Sequence, residues 1–147
     1  MKNYYVEIKG LFLFFFLISN SFAASSSYLD EGIKLYKQKK FEKSQILFER
    51  DITHNPKSEK SYLYLAKIFN KRENERLEEI NLNNVLLINP QNEEAIHMFV
   101  NLNIKRSDYK QARELIKKFN LVCKTICSKE SELIEKLNKL SPEDAKN

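Results

Sequence analysis

Apolar positions along the chain recur at helical spacing, and the layout itself recurs. Tyr28, Leu29, Gly32, Leu35 and Tyr36 fall on one helix face. After the polar Lys39-Lys40 break, Phe41, Ser44, Leu47, Phe48 and Ile52 form a second stripe. Tyr62, Leu65, Ala66 and Phe69 repeat the first stripe, and Leu82, Val85 and Leu86 the second. Ile96, Phe99, Val100 and Leu102 then precede a polar break at Arg106–Asp108, followed by Tyr109, Ala112, Leu115, Ile116 and Phe119. Asn55-Pro56 and Asn89-Pro90 are 34 residues apart, as are Gly32 and Ala66, Leu35 and Phe69, and Tyr28 and Tyr62. A further step of 34 leads from Ala66 to Val100, from Leu82 to Ile116 and from Val85 to Phe119. A fixed period of this length predicts stacked supersecondary units. Each unit reads as two helices joined by a short polar turn, and Pro56 and Pro90 each end a helix. Leu133, Ile134, Leu137 and Leu140 predict a capping helix, with Ser128 as its N-cap and Ser141-Pro142 as its stop. Glu143–Asn147 reads as a frayed tail.

The segment before the repeats has a different pattern. Lys2 and Lys9 precede the unbroken apolar run Leu11–Ile18, and Ser21-x-Ala23 supplies small residues after it. This order is that of a secretory signal peptide, expected to span residues 1–23. The run is too short to cross a bilayer, which takes roughly 20 residues. Cleavage after Ala23 removes Lys2, Lys9 and Glu7 and leaves a mildly basic chain. The expected location is outside the cytoplasm, either periplasmic in a Gram-negative cell or secreted. A retained segment would instead tether the chain to a membrane.

At the level of motifs the chain resembles the tetratricopeptide repeat family. The first unit carries that family's small residue (Gly32), aromatic (Tyr36), turn aromatic (Phe41), second small residue (Ser44), aromatic (Phe48) and terminal Pro56. Tyr109, Ala112 and Ile116 match the second-helix pattern in the third unit. The resemblance implies an all-α fold, a right-handed α-solenoid of three helix hairpins with a C-terminal capping helix. The repeats occupy residues 24–122, with units at about 25–58, 59–92 and 93–122, and residues 123–147 hold the junction, cap and tail. Two departures stand out. Glu78 occupies the small-residue slot held by Ser44 and Ala112, which predicts a splayed second hairpin or a rotated helix. Lys124 stands where the third unit would have its proline.

Composition fits this reading. Two glycines and three prolines in 147 residues leave few helix breakers. With 42% hydrophobic and 31% charged residues the chain has enough apolar surface to fold. The net charge of +5 has acids interspersed among the bases, and does not indicate a nucleic-acid partner. Cys123 and Cys127 are the two cysteines. In an exported chain they are expected to pair and to set the angle of the capping helix, which requires a break in the helix between them. A redox site or a metal-linked role for the pair is the alternative. Two intervening residues would suit redox chemistry better than three, and a zinc site needs further ligands.

No catalytic constellation emerges. His54 sits at a helix end, where a cation eases the dipole, and His97 lies beside the apolar stripe of the third unit. Acid pairs such as Glu78-Glu79 and Glu93-Glu94 read as solvated helix charges. No cofactor or metal is expected. The functional expectation is a protein-interaction module, a scaffold or assembly factor that binds a polypeptide in a concave groove. Residues off the buried stripes of the first helices would line it: Ile33, Tyr36 and Lys37; Leu63, Lys67, Asn70 and Lys71; His97, Asn101, Ile104 and Lys105. Their ammonium and amide groups suit an acidic or mixed segment. Leu63 and Glu94 stand at inner positions where the family's clamp for a terminal carboxylate places polar or basic groups, so that clamp is not expected. No nucleic acid and no stable membrane insertion after cleavage are expected.

Overall fold

The computed structural model describes Ala23–Ser141, and the side chains from Tyr28 onward. The expected signal segment up to residue 22, its cleavage signature included, and the tail after Ser141 lie outside the described residues. Among those described there are seven helices and no strand. The chain divides into two compact units, Met1–Pro56 and Lys57–Asn147.

The first unit contains one hairpin, α1 (Ala23–Lys37) and α2 (Phe41–His54). Gly32 is where the two helices come closest. A Cβ there would stand 2.7 Å from Phe48 Cε1. Beside it the buried Ser44 hydroxyl donates to the Gly32 carbonyl at 2.8 Å. Two small residues therefore let backbone meet side chain, and Phe48 fills the space they leave. At the end of α2, His54 Nδ1 lies 2.9 Å from the Arg50 carbonyl, and its ring meets Tyr28 with centroids 5.5 Å apart.

The second unit contains two hairpins and a cap. These are α3 (Glu59–Lys71) with α4 (Glu75–Ile88), α5 (Glu93–Lys105) with α6 (Tyr109–Val122), and α7 (Lys129–Leu140). α5 packs on α4 as well as on α6, and α7 packs on both α5 and α6. One apolar cluster joins Leu63, Ala66, Leu82 and Val85 to Ala95 and Leu102 of the next hairpin. Another joins Ile96, Val100, Ala112, Ile116 and Phe119 to Leu133 and Leu137 of the cap. Ala66 and Val100, at the positions equivalent to Gly32, are fully buried. The cap stripe is narrower than its sequence suggests. Leu133 and Leu137 are buried, whereas Ile134 and Leu140 are exposed. Ser128 is already helical and makes no side-chain cap, so the expected N-cap is not formed.

The three hairpin turns share one backbone geometry. Lys39, Glu73 and Ser107, spaced 34 apart, each adopt a left-handed conformation, with φ of 61°, 56° and 60°. The next residue donates five positions back in every case: Lys40 to Leu35, Asn74 to Phe69 and Asp108 to Asn103. Lys39, Glu73 and Ser107 donate to Tyr36, Asn70 and Ile104. This is the Schellman closure, which satisfies helix-end carbonyls and reverses the chain. No glycine occupies any of the three positions, so each turn carries side-chain strain of roughly 1–2 kcal/mol.

Glu78 does not splay its hairpin, contrary to the sequence expectation, and it is not a solvated charge. It is 2% exposed, and α3 and α4 pack along their length. Its carboxyl accepts a hydrogen bond from Asn70 Nδ2 at 3.0 Å. Burial raises its pKa, opposed by the Asn70 bond and by Lys105.

The repeat junctions are tied by acids at the first helix position. Glu59 accepts from Asn89 Nδ2 at 3.0 Å and from Asn92 Nδ2, joining α3 to the next linker. Its equivalent 34 residues on, Glu93, accepts from the backbone N–H groups of Thr125 and Ile126 and from the Thr125 hydroxyl, at 2.9, 3.0 and 2.9 Å. These backbone bonds, led by that of Thr125, hold the Glu93 pKa at about 2. Cys123 and Cys127 form a disulfide across the same loop, with Cα atoms 5.3 Å apart. Cys123 is extended and ends α6, so the break expected between the cysteines is present and takes the place of the missing proline.

Three stability measurements follow from these features. Lys39→Gly or Glu73→Gly should stabilise the fold by about 0.5–1 kcal/mol in denaturant unfolding, since glycine adopts the left-handed conformation without strain. A loss of stability would show that the turns are not strained. Glu78→Gln should raise Tm at pH 8 and change it little at pH 4. The folded carboxyl titrates above its unfolded value near 4.5, so the cost of ionising it is absent at low pH and complete above the folded pKa. Glu93 has the opposite sign: its contribution is present above about pH 4.5 and is lost as pH falls toward about 2. Amide exchange in α7 should therefore quicken across that window in the native chain. In Glu93→Gln it should already be fast at pH 6, and equal protection there would count against the latch.

Candidate functional site

The residues expected to line a groove divide sharply once the helices are packed. In the first unit Ile33 and Tyr36 are half-buried and Lys37 is exposed. The Tyr36 ring meets Phe41 edge-on, with centroids 5.3 Å apart, so it serves the hairpin's own turn. In the second unit Leu63 (8% exposed) is a core residue, contrary to expectation, and Ile104 (2%) is buried in the core with one edge on the recess described below. Leu63 packs with Leu82, Val85 and Ala95, and Ile104 with Ala112 and Leu115. A first helix in a stack faces its own partner and a neighbouring hairpin, so its apolar stripe is wider than that of an isolated hairpin.

The polar candidates are largely committed to partners. Lys67 pairs with Glu94 at 2.8 Å and lies over the Tyr64 ring, 4.8 Å from its centroid. Lys105 pairs with Glu75 at 3.0 Å, and Arg106 bonds both Glu75 and Glu79. This network lowers the Glu75 pKa, chiefly through Lys105 and then Arg106, and raises that of Lys105. Lys71 is exposed at the end of α3. His97 is half-buried against Phe119, with ring centroids 6.2 Å apart, and its Nε2 has no hydrogen-bond partner. Burial lowers its pKa.

Asn70, Asn101 and Lys105 are brought together around a recess of about 420 Å³. Asn70 and Glu78 stand on one side, with Asn101, Leu102, Ile104 and Lys105 beside them. Ser107 and Tyr109 come from the third turn, and Lys136 and Leu140 from the cap. Asn101 donates to the His97 carbonyl at 3.0 Å and accepts from Lys136 Nζ at 2.7 Å. The Tyr109 hydroxyl lies 3.4 Å from Ser107 Oγ. Lys136 is the ammonium of this recess that forms no carboxylate pair among the described residues. The lining thus offers amides, hydroxyls and ammonium groups over a buried carboxyl, with aliphatic walls. It can hydrogen-bond a peptide backbone or receive an anionic side chain while covering aliphatic carbons.

Sequence reasoning missed Glu78, Leu102, Ser107, Tyr109, Lys136 and Leu140 as lining residues. Glu78 carried a usable signal, because its equivalents Ser44 and Ala112 are both small and buried. Lys136 and Leu140 could be found only by recognising that the cap takes the place of another first helix. The two cysteines are bonded to each other, and the loop they close is bound to Glu93. Among the described residues no three His, Cys, Asp or Glu side chains are grouped to hold a metal ion.

No protein-family model matches the chain, and no curated protein matches it in sequence. Solved structures do match in shape. The TPR domain of Arabidopsis OM64 has 18% identity and a TM-score of 0.73, over 82% of this chain and 98% of that one. The first TPR of Spaghetti (RPAP3), bound to the HSP90 peptide SRMEEVD, has 14% identity and a TM-score of 0.70, over 83% of this chain and 94% of that one. PilF of Pseudomonas aeruginosa has 16% identity and a TM-score of 0.66, over 87% of this chain. This chain spans only 57% of the PilF chain. Paired helices, a period of 34 and these shared shapes together give the chain the fold of a tetratricopeptide repeat domain, a solenoid of helix hairpins.

Proposed function

We propose that the protein is an exported interaction module, a scaffold or assembly factor with no catalytic step, that binds an acidic or mixed polypeptide segment at the recess between α3, α5 and α7. The observation that carries this reading is the recess itself, where amides, hydroxyls and the Lys136 ammonium surround about 420 Å³ on a fold of this kind. The peptide bound by the Spaghetti domain, SRMEEVD, holds three acidic residues, which supports an anionic segment as the ligand class here. Location outside the cytoplasm rests on residues 1–23 and on the cysteine pair, since disulfides persist in oxidising compartments.

The decisive measurement is site-specific crosslinking in cells expressing the full chain. A photoreactive residue at Ser107 should give a discrete adduct, whereas one at exposed Glu114 on the outer side of α6 should not. Lys136→Glu should reduce the Ser107 adduct at least about tenfold, as expected for losing one charge-assisted contact of roughly 1.5–3 kcal/mol. Absence of a Ser107-specific adduct, or one unaffected by Lys136→Glu, would reject the recess as the binding site. Mass spectrometry of the same material should find a mature start at Ala24 with both cysteines oxidised.

A further inference from the structure

Taking the recess as the binding site, we propose that the bound segment is of mixed charge, with a lysine or arginine whose head reaches Glu78 and an acidic neighbour that meets Lys136. Charges around the lining do not match in pairs. Glu75 and Glu79 on α4 are matched by Lys105 and Arg106, at 3.0, 3.1 and 2.7 Å. Glu78 lies between those two acids in sequence but stays outside their network. Its Oε1 accepts from Asn70 Nδ2, and its Oε2 accepts from no described residue. Three carboxylates, Glu75, Glu78 and Glu79, thus face two cations, and the unmatched one is 2% exposed. Lys105 and Arg106 act on it only through space, opposed by Glu75. Glu73 in the turn adds a further negative charge within reach of Lys105.

The cap side shows the reverse. Lys136 bonds the neutral Asn101, while the neighbouring acids of α7, Glu132 and Glu135, pair with Lys129 and Lys139. Among the described residues the recess therefore holds one carboxyl without a cation inside it and one ammonium without a carboxylate at its edge. A wholly acidic segment would bring like charge against Glu78, and a neutral one would leave both groups unanswered. A buried carboxylate without a cation is costly, so a ligand ammonium or guanidinium supplies what the fold does not. A basic side chain also suits the walls. Its methylene stem can lie along Leu102, Ile104 and the Tyr109 ring while its head reaches the carboxyl. About 420 Å³ is room for one such side chain and the backbone that carries it.

Short synthetic peptides test this on the full chain. One set carries a single Lys and a single Glu, at spacings of one to four residues, in an Ala/Gly background. In a second set norleucine replaces the Lys, and in a third Gln replaces the Glu. The native chain should bind the first set about tenfold more tightly than the second, as expected for one charge-assisted contact. Glu78→Gln should bind the first two sets alike. That substitution removes a destabilising charge, so a lost preference cannot be put down to unfolding. Lys136→Gln should abolish only the preference for the first set over the third. Native affinity for the first set should also rise from pH 5 to pH 8, because a cation favours ionised Glu78. Glu75, Lys105 and Arg106 face that carboxyl, and His97 titrates near Lys136. All four remain in Glu78→Gln, which should lose the rise. Equal binding of the Lys and norleucine peptides by the native chain, or binding of neither, would overturn the proposal. So would a Lys preference kept by Glu78→Gln, or an affinity that falls as pH rises. Such a result alongside a Ser107-specific adduct would leave the recess as the binding site, whereas absence of the adduct would remove the site itself.

Discussion

Close approach of two helices within each hairpin is the constraint on which the rest depends. A chain reversal of three residues leaves no slack, so the paired helices must touch where their backbones come nearest. Gly32 with Ser44 meets that demand by small size, and Val100 with Ala112 meets it with modest apolar volume. The second hairpin places Ala66 against Glu78, a residue too long for the slot. Its carboxyl reaches Asn70 at the hairpin's end and becomes a polar wall of the recess. A departure from the repeat pattern is thus accommodated by moving a polar group toward the site, at the cost of burying a titratable one.

The acids of the second unit are used chiefly as internal ties. Glu59 and Glu93 perform the same task one repeat apart, accepting hydrogen bonds from the linker that follows. Glu75 and Glu79 gather Lys105 and Arg106 at the other end. Charge-assisted bonds of this kind hold the ends of short helices better than propensity alone can. They also decide which cations remain for other work. Lys67 and Lys105, attractive as ligands in the linear sequence, are paired locally with Glu94 and Glu75, whereas Lys136 bonds the neutral Asn101.

The disulfide loop shows how a junction can be closed without its usual residue. Asn-Pro ends the first two second-helices by backbone restriction. At the third, an extended Cys123 ends α6, and the Cys123–Cys127 bond compacts the loop while Glu93 binds its amides. The cap then places Leu133 and Leu137 on the last hairpin, covering an apolar face that would otherwise meet water.

The linear sequence determined the period, the helix pairs, their apolar seams and the break between the cysteines. Each depends on spacing along one helix or one turn, and local sterics read spacing directly. It did not determine the direction of Glu78, the burial of Leu63 and Ile104, or the placing of Lys136 and Leu140 beside Asn101. Those depend on which surface a neighbouring hairpin or the cap covers, and on which carboxylate lies within reach of each lysine. A pattern of apolar positions says that a face is buried. Only the packed helices decide what buries it and which polar groups are left to act.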